Sequence, residues 1–120
     1  MNRVLVVDDE PEIGSLVELC LDPLGVEVIQ AEGLRSARSL ARQTDVDIVL
    51  LDLALGGEDG LEILPELRKT PGLSGVPVVA FTAHDSRRAE AFERGVDAFL
   101  ARPFAYQDLQ ATVARHMKRR

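Results

Sequence analysis

Cysteine is almost absent from this chain, and its scarcity excludes two common ways of stabilising a small domain. The single Cys20 cannot form an internal disulfide, and no cluster of cysteine and histidine has the spacing of a zinc site. Cys20 lies among apolar residues of a helical pattern, which favours a buried core side chain over a reactive thiol. With 120 residues, the chain is long enough to fold around its own hydrophobic core.

Positive charge and long apolar runs are also scarce. The 14 basic residues face 20 acidic ones, so the net charge is -6, which argues against direct binding to nucleic acid because the phosphate backbone attracts basic surfaces. No apolar stretch approaches the length of a membrane span, and residues 1–3 lead into only a short apolar run. We therefore expect no nucleic-acid or membrane partner and a cytoplasmic location.

The chain does contain four short apolar runs that each end at a polar residue. The residues that follow these runs are Asp8 with Asp9, Asp52, Thr82 and Arg102. If the runs are parallel strands of one sheet, their carboxyl ends share an edge. Three carboxylates, a hydroxyl and a cation would then meet, and such a site can hold a divalent metal and a phosphoryl group.

Strand and helix patterns alternate along the whole chain. Strands are predicted at 3–7, 26–29, 47–51, 76–81 and 96–100, and helices at about 11–24, 33–43, 61–70, 86–94 and 105–117. The alternation predicts an α/β fold, a doubly wound, flavodoxin-like sheet of five parallel strands in the order 2-1-3-4-5 with five helices, forming one domain over residues 1–120. Ligands bind such sheets at the carboxyl edge between strands 1 and 3, the strands that lead into the three aspartates.

Some segments fit the regular pattern less well. The stretch from Asp52 to Gly60 carries three glycines and is predicted to be a loop. Pro65 lies past the first turn of the third helix, where it predicts a late start or a kink. The fourth helix has few large apolar residues besides Phe92, so we expect it to be marginal or mobile. The closing cations at 118–120 are expected to favour the C-terminal end of the last helix.

Six short motifs, in order and at characteristic separations, resemble those of two-component response regulator receiver domains over essentially all 120 residues. The motifs are Val-Asp-Asp-Glu-Pro at 7–11, Leu-Leu-Asp-Leu at 50–53, Asp-Gly-Leu-Glu-Ile-Leu at 59–64, Phe-Thr-Ala at 81–83, Gly-Val-Asp-Ala-Phe-Leu at 95–100 and Arg-Pro-Phe at 102–104. The resemblance implies a phosphoacceptor that switches partner binding. It also implies that the chain catalyses only its own phosphorylation and dephosphorylation.

The same resemblance assigns a role to individual residues. It implies that Asp52 accepts a phosphoryl group from a sensor histidine kinase or a phosphotransfer protein. It implies that Asp8, Asp9, Asp52 and the backbone carbonyl of Ala54 bind Mg²⁺. Thr82 matches the switch hydroxyl, and Phe99 matches the aromatic whose rotamer reports the switch. The signal would pass to a downstream protein or to an output domain that this chain does not contain.

Two residues depart from the family pattern, and two more match positions that vary in their effect on dephosphorylation. Arg102 stands where the family has a lysine that contacts the phosphoryl group, and this exchange is not conservative at a tight site. Gly56 stands where the family often has proline, which predicts a more flexible loop. Ala54 and His84 match positions that tune dephosphorylation.

Other interpretations of these residues stay open at this point. Asp8 and Asp9 could belong to an acidic helix start, Arg102 could be a surface charge, and Phe99 could be a fixed core aromatic. A degenerate receiver that signals without phosphate would account for Arg102. Two other classes fit the sequence less well. A phosphatase of the haloacid dehalogenase type requires a second acid at the position of Ala54. A flavodoxin binds phosphate after its first strand, where Asp8 and Asp9 would repel it.

Overall fold

A computed structural model describes residues 2–83 and 85–117, and its centre is a five-stranded sheet. The strands are β1 (Arg3–Val7), β2 (Glu27–Ala31), β3 (Ile48–Leu51), β4 (Val78–Thr82) and β5 (Ala98–Ala101). All neighbouring strands are parallel, and their order is β2-β1-β3-β4-β5. The predicted α/β topology is confirmed.

The described part of the chain has five α-helices, of which four connect successive strands of the sheet and the fifth follows β5. They are α1 (Pro11–Leu21), α2 (Leu34–Gln43), α3 (Gly60–Lys69), α4 (Arg88–Glu93) and α5 (Tyr106–His116). Short 3₁₀ turns at Asp22–Leu24 and Asp85–Arg87 extend α1 and precede α4. No helix within the described ranges has both the length and the apolar composition to cross a membrane. The cations at 118–120 lie outside the described residues.

The sheet is covered on both faces because its strands are apolar on both sides. Successive residues of one strand enter different core layers. Leu5 of β1 packs in the layer that also contains Leu61 of α3, whereas Val4 packs in the layer with Val17 of α1 and Val113 of α5. Cys20 lies in the second layer and is buried, as predicted, and burial raises the pKa of its thiol.

The segment after β3 is more regular than predicted. Ala54–Leu55 and Glu58–Asp59 pair as a short antiparallel ribbon inside the expected loop. Helix α3 starts directly after this ribbon, at Gly60, because the Asp59 side chain accepts a hydrogen bond from the Leu61 amide at 3.0 Å and caps the helix. The late start considered for α3 is therefore wrong, and Pro65 lies inside the helix.

Candidate functional site at the carboxyl edge of the sheet

The carboxyl edge of the sheet brings the sequence-predicted residues together. Asp8 directly follows β1, and the Asp52 amide donates to the carbonyl of Val7 at 3.0 Å, which ties the end of β3 to the end of β1. Thr82 is the last residue of β4, and the Arg102 amide donates to its carbonyl at 2.8 Å. Residues that are far apart in the chain thus line one edge.

Asp52 is a buried carboxylate with a cationic neighbour. Its side chain is 2% exposed, and its Oδ2 lies 3.3 Å from Nη2 of Arg102. Its Oδ1 accepts a hydrogen bond from the Ala54 amide at 3.2 Å. The guanidinium of Arg102 also lies over the ring of Phe81, 5.2 Å from the ring centroid. The Arg102 side chain is 20% exposed and lies beside Asp52, and its role in the site stays a prediction.

Asp8 is fully buried and lies beside two exposed acids, Asp9 and Glu10. Within residues 2–83 and 85–117, these three form the group of acids whose carboxylate oxygens lie within 4.8 Å of one another. Asp52 is not in that group. Glu10 is an acid that was not predicted as a site residue, although its position directly after Asp9 is the signal that indicates it.

Burial raises the pKa of Asp8 to about 6. The hydrogen bond that its Oδ1 accepts from the Glu10 amide, at 2.8 Å, works in the opposite direction, as does the charge of Arg102. The negative charge of Asp52 raises this pKa further. Repulsion from a neighbouring acid therefore contributes to the raised pKa of Asp8, but burial is the larger cause.

The chemistry of these side chains fits a divalent cation. Carboxylate oxygens are the ligands that Mg²⁺ prefers. In the described part of the chain, two buried side-chain atoms have no hydrogen-bond partner, and both belong to this site: Asp8 Oδ2 and Arg102 Nε. Buried polar atoms are normally paired. An unpaired acceptor suits a metal ion, and an unpaired donor suits an anionic oxygen.

The predicted switch residues are both buried. Thr82 is fully buried at the end of β4. Phe99 of β5 is 7% exposed, and the guanidinium of Arg88, from α4, lies 5.5 Å from its ring centroid. This packing is compatible with a switch and with a fixed core aromatic, so both interpretations stay predictions. Ala54 is exposed in the short ribbon next to Asp52, and His84 lies outside the described residues.

Gly56 has a conformational role that explains why proline is absent there. Its φ is 63°, in the left-handed region, whereas the ring of proline holds φ near -65°. A Cβ atom at this position would also lie 3.1 Å from Asp9 Oδ2. The glycine therefore shapes a defined turn against Asp9.

Comparisons with known proteins agree with this arrangement. The family model of the response regulator receiver domain matches residues 4–114. The chain is 32% identical over 121 residues to RpaA, a DNA-binding dual master transcriptional regulator of Synechocystis, with 99% of this chain and 50% of RpaA covered. The chain thus spans about half the length of that curated relative.

Solved structures of similar sequence share the fold. The response regulator TrrA of Thermotoga maritima, solved in complex with Mg²⁺-BeF, is 30% identical and has a TM-score of 0.82, with 96% of this chain and 98% of that chain covered. The receiver domain of a sensor histidine kinase from Pseudomonas aeruginosa, solved with a magnesium ion in its active site cleft, is 28% identical and has a TM-score of 0.80, with 96% of each chain covered.

Proposed function

This chain belongs to the family of response regulator receiver domains of two-component signalling, and we propose that it accepts a phosphoryl group on Asp52. The single observation that carries this proposal is the pair of buried atoms without partners, Asp8 Oδ2 and Arg102 Nε. The guanidinium of Arg102 pairs with Asp52, and the charge of Asp52 acts on Asp8. The acceptor Asp8 Oδ2 can bind a cation, and the donor Arg102 Nε can bind an anionic oxygen. A metal ion and a phosphoryl group bound together would supply both partners.

In the proposed reaction, an Asp52 carboxylate oxygen attacks the phosphorus of a phosphohistidine. The new O–P bond forms as the P–N bond breaks, and the imidazole nitrogen keeps the electron pair. Arg102 must turn from the Asp52 carboxylate toward the phosphoryl oxygens, which its planar guanidinium can bind through more than one N–H. The Thr82 hydroxyl donates to a phosphoryl oxygen from the neighbouring strand.

We assign the metal site to Asp8, Asp9, Asp52 and the backbone carbonyl of Ala54, with Glu10 adjacent. When bound there, Mg²⁺ neutralises negative charge at the acids and at the transferred group. Asp8 contributes the unpaired Oδ2, and Asp9 lies against the turn at Gly56. Glu10 is exposed at the rim of the same group of acids.

The phosphorylated state signals by shifting a conformational equilibrium. Thr82 and Phe99 are the proposed switch residues, and the short helix α4, between β4 and β5, is the element that responds. The donor is a sensor histidine kinase or a phosphotransfer protein, and the recipient is a downstream protein or an output domain outside this chain. The chain catalyses only its own phosphorylation and dephosphorylation, and the cytoplasmic location stays a prediction.

The degenerate receiver is the second candidate function, and Arg102 is the observation that favours it. The Arg102 guanidinium pairs with the Asp52 carboxylate in the described structure. This ion pair would have to break before Asp52 could be phosphorylated. If this competition is decisive, the domain binds its partners without phosphate.

Acetyl phosphate with Mg²⁺ tests the proposal by intact-protein mass. We expect the unchanged protein to gain the mass of one phosphoryl group and Asp52→Asn to gain none, because the amide is not a nucleophile. Gain of the same mass by Asp52→Asn would place the phosphoryl group elsewhere.

Arg102 variants in the same assay separate the two candidate functions. Arg102→Ala should slow phosphorylation about 10-fold or more, since a hydrogen bond to a charged group contributes about 1.5–3 kcal/mol. Arg102→Lys keeps the charge and should retain more of the rate. The degenerate receiver predicts the opposite pattern, with no phosphorylation of the unchanged protein and a gain in Arg102→Lys.

A further inference from the structure

A glutamine on the edge strand contacts the acidic loop twice. Gln30 of β2 donates from its Nε2 to the backbone carbonyl of Asp8 at 2.9 Å and to that of Glu10 at 2.8 Å. Both N–H groups of the amide are thus used. The alternative orientation of the amide would point its oxygen at two carbonyls, so the nitrogen is the atom that faces the loop.

Helix α1 leaves room for this side chain only because residue 14 is glycine. A Cβ atom on Gly14 would lie 1.9 Å from Gln30 Oε1 and 2.8 Å from its Cδ. The helix backbone and the glutamine therefore occupy adjoining space. Gly14 has no chemistry of its own, so its role at this buried position is to admit the Gln30 amide.

The contacts of Gln30 complete the anchoring of the loop around Asp9. The Asp8 amide donates to the carbonyl of Ala31 at 2.9 Å, and the Asp8 side chain accepts from the Glu10 amide at 2.8 Å. Gln30 adds the two carbonyls on either side of Asp9. The backbone before and after Asp9 is thereby attached to β2, while the Asp9 carboxylate lies toward Gly56.

We propose that Gln30 is a positioning residue for the metal site, which holds the Asp8–Glu10 loop so that the acidic pair faces the carboxyl edge of the sheet. This inference rests on the proposed function, because it assumes that these acids bind Mg²⁺. Residues that orient metal ligands without touching the metal commonly change affinity about 10–100-fold when they are removed. Gln30 acts through the backbone carbonyls of the ligand loop.

The test is a Mg²⁺ titration of the metal-free protein. Binding is monitored through the chemical shifts of the backbone amides of the loop in NMR spectra. Gln30→Met keeps the length of the side chain, adds no charge and removes both donors. We expect it to weaken Mg²⁺ binding about 10-fold. Gln110→Met is the matched control, because Gln110 donates to the carbonyl of Cys20 at 2.8 Å, in a contact between α5 and α1. It should leave the affinity unchanged.

Gly14→Ala breaks the same contact by a different route. Its methyl group displaces the Gln30 amide, so Mg²⁺ affinity should fall about as far as in Gln30→Met. The double variant should bind Mg²⁺ no more weakly than either single variant, since both changes remove the same interaction. Alanine also favours the helical conformation more than glycine does. A fall in affinity without a matching fall in stability is a result that a merely structural role would not produce.

The outcomes separate this inference from the proposed function. If the unchanged protein shows saturable shifts and Gln30→Met binds as tightly as Gln110→Met, the positioning role is refuted while the metal site stands. If the unchanged protein shows no saturable shifts, the metal site is refuted and the role of Gln30 falls with it.

Discussion

At the scale of the residue, Gly60 shows how closely the acceptor strand and helix α3 approach each other. A Cβ atom at this position would lie 2.2 Å from the backbone oxygen of Asp52 and 2.8 Å from Cα of Leu53. The Gly60 amide also donates to the Leu53 carbonyl at 2.9 Å. The position of the phosphoacceptor therefore depends on the absence of a side chain at residue 60.

Gly60→Ala should lower the free energy of unfolding by about 1–3 kcal/mol, because the clash is with backbone that cannot rotate away. The same displacement should slow phosphorylation of Asp52. Urea denaturation and the acetyl phosphate assay measure the two effects.

Gly57→Ala is the matched control in the same segment, since no atom of the described residues lies within 4 Å of a Cβ atom there. Equal stability of the two alanine variants would show that α3 can shift away from Asp52 at no cost.

At the scale of the element, an ion pair joins the segment after β3 to the start of α4. Arg87 donates from Nη1 and Nη2 to the two carboxylate oxygens of Asp59, both at 2.9 Å. Asp59 also caps α3, and Arg87 donates from Nε to Glu90 at 3.1 Å. Because α4 has only six residues, we expect this pair to help hold the start of that helix against the segment after β3.

Arg87→Gln should loosen α4 and lower the free energy of unfolding by about 1 kcal/mol at neutral pH, as expected for a partly exposed, two-bonded pair. The bonds from Arg87 hold the pKa of Asp59 below its ordinary value of 3.8. The stabilisation is thus fully present above that value and is lost as the pH falls through the lowered pKa of the folded state.

Urea denaturation at neutral and at strongly acid pH measures this dependence, and amide hydrogen exchange locates it in α4. Arg94→Gln is the control at the other end of α4, since Nη2 of Arg94 lies 3.7 Å from Oε2 of Glu90 and its side chain is 45% exposed. A stability difference for Arg87→Gln that persists in strong acid would exclude the ion pair as its cause.

At the scale of the whole molecule, the sheet joins its two core layers into one folding unit. Leu50 and Leu51 are consecutive and fully buried, but Leu50 packs in the layer with α1 and α5, and Leu51 packs in the layer with α2 and α3. Because β3 is buried on both faces, loss of packing in one layer should also destabilise the other layer.

Leu50→Ala and Leu51→Ala should each lower the free energy of unfolding by about 2–5 kcal/mol. Each variant should still unfold in a single transition. Circular dichroism and the intensities of NMR peaks from both layers measure this transition. Leu19→Ala is the control, since Leu19 is 65% exposed. Separate transitions for the two layers would refute the single unit.

The topology was predictable because it follows from local patterns. The order of apolar runs, the glycine at 25 and the proline at 11 mark strands and helix ends, and parallel connections then allow few arrangements. Strand ends were less predictable. β2 runs to Ala31, two residues past the predicted end, because β1 pairs with it along its full length.

The amino-acid sequence by itself determined the α/β alternation, the strand order and the meeting of Asp8, Asp9 and Asp52 at one edge, since the carboxyl ends of parallel strands must adjoin. Only the tertiary structure decided which side chains pair across that edge. The contacts of Arg102 with Asp52, Arg87 with Asp59 and Gln30 with the acidic loop join segments far apart in the chain. Such pairs depend on strand register and on the room left by glycines, and no local pattern of residues encodes either.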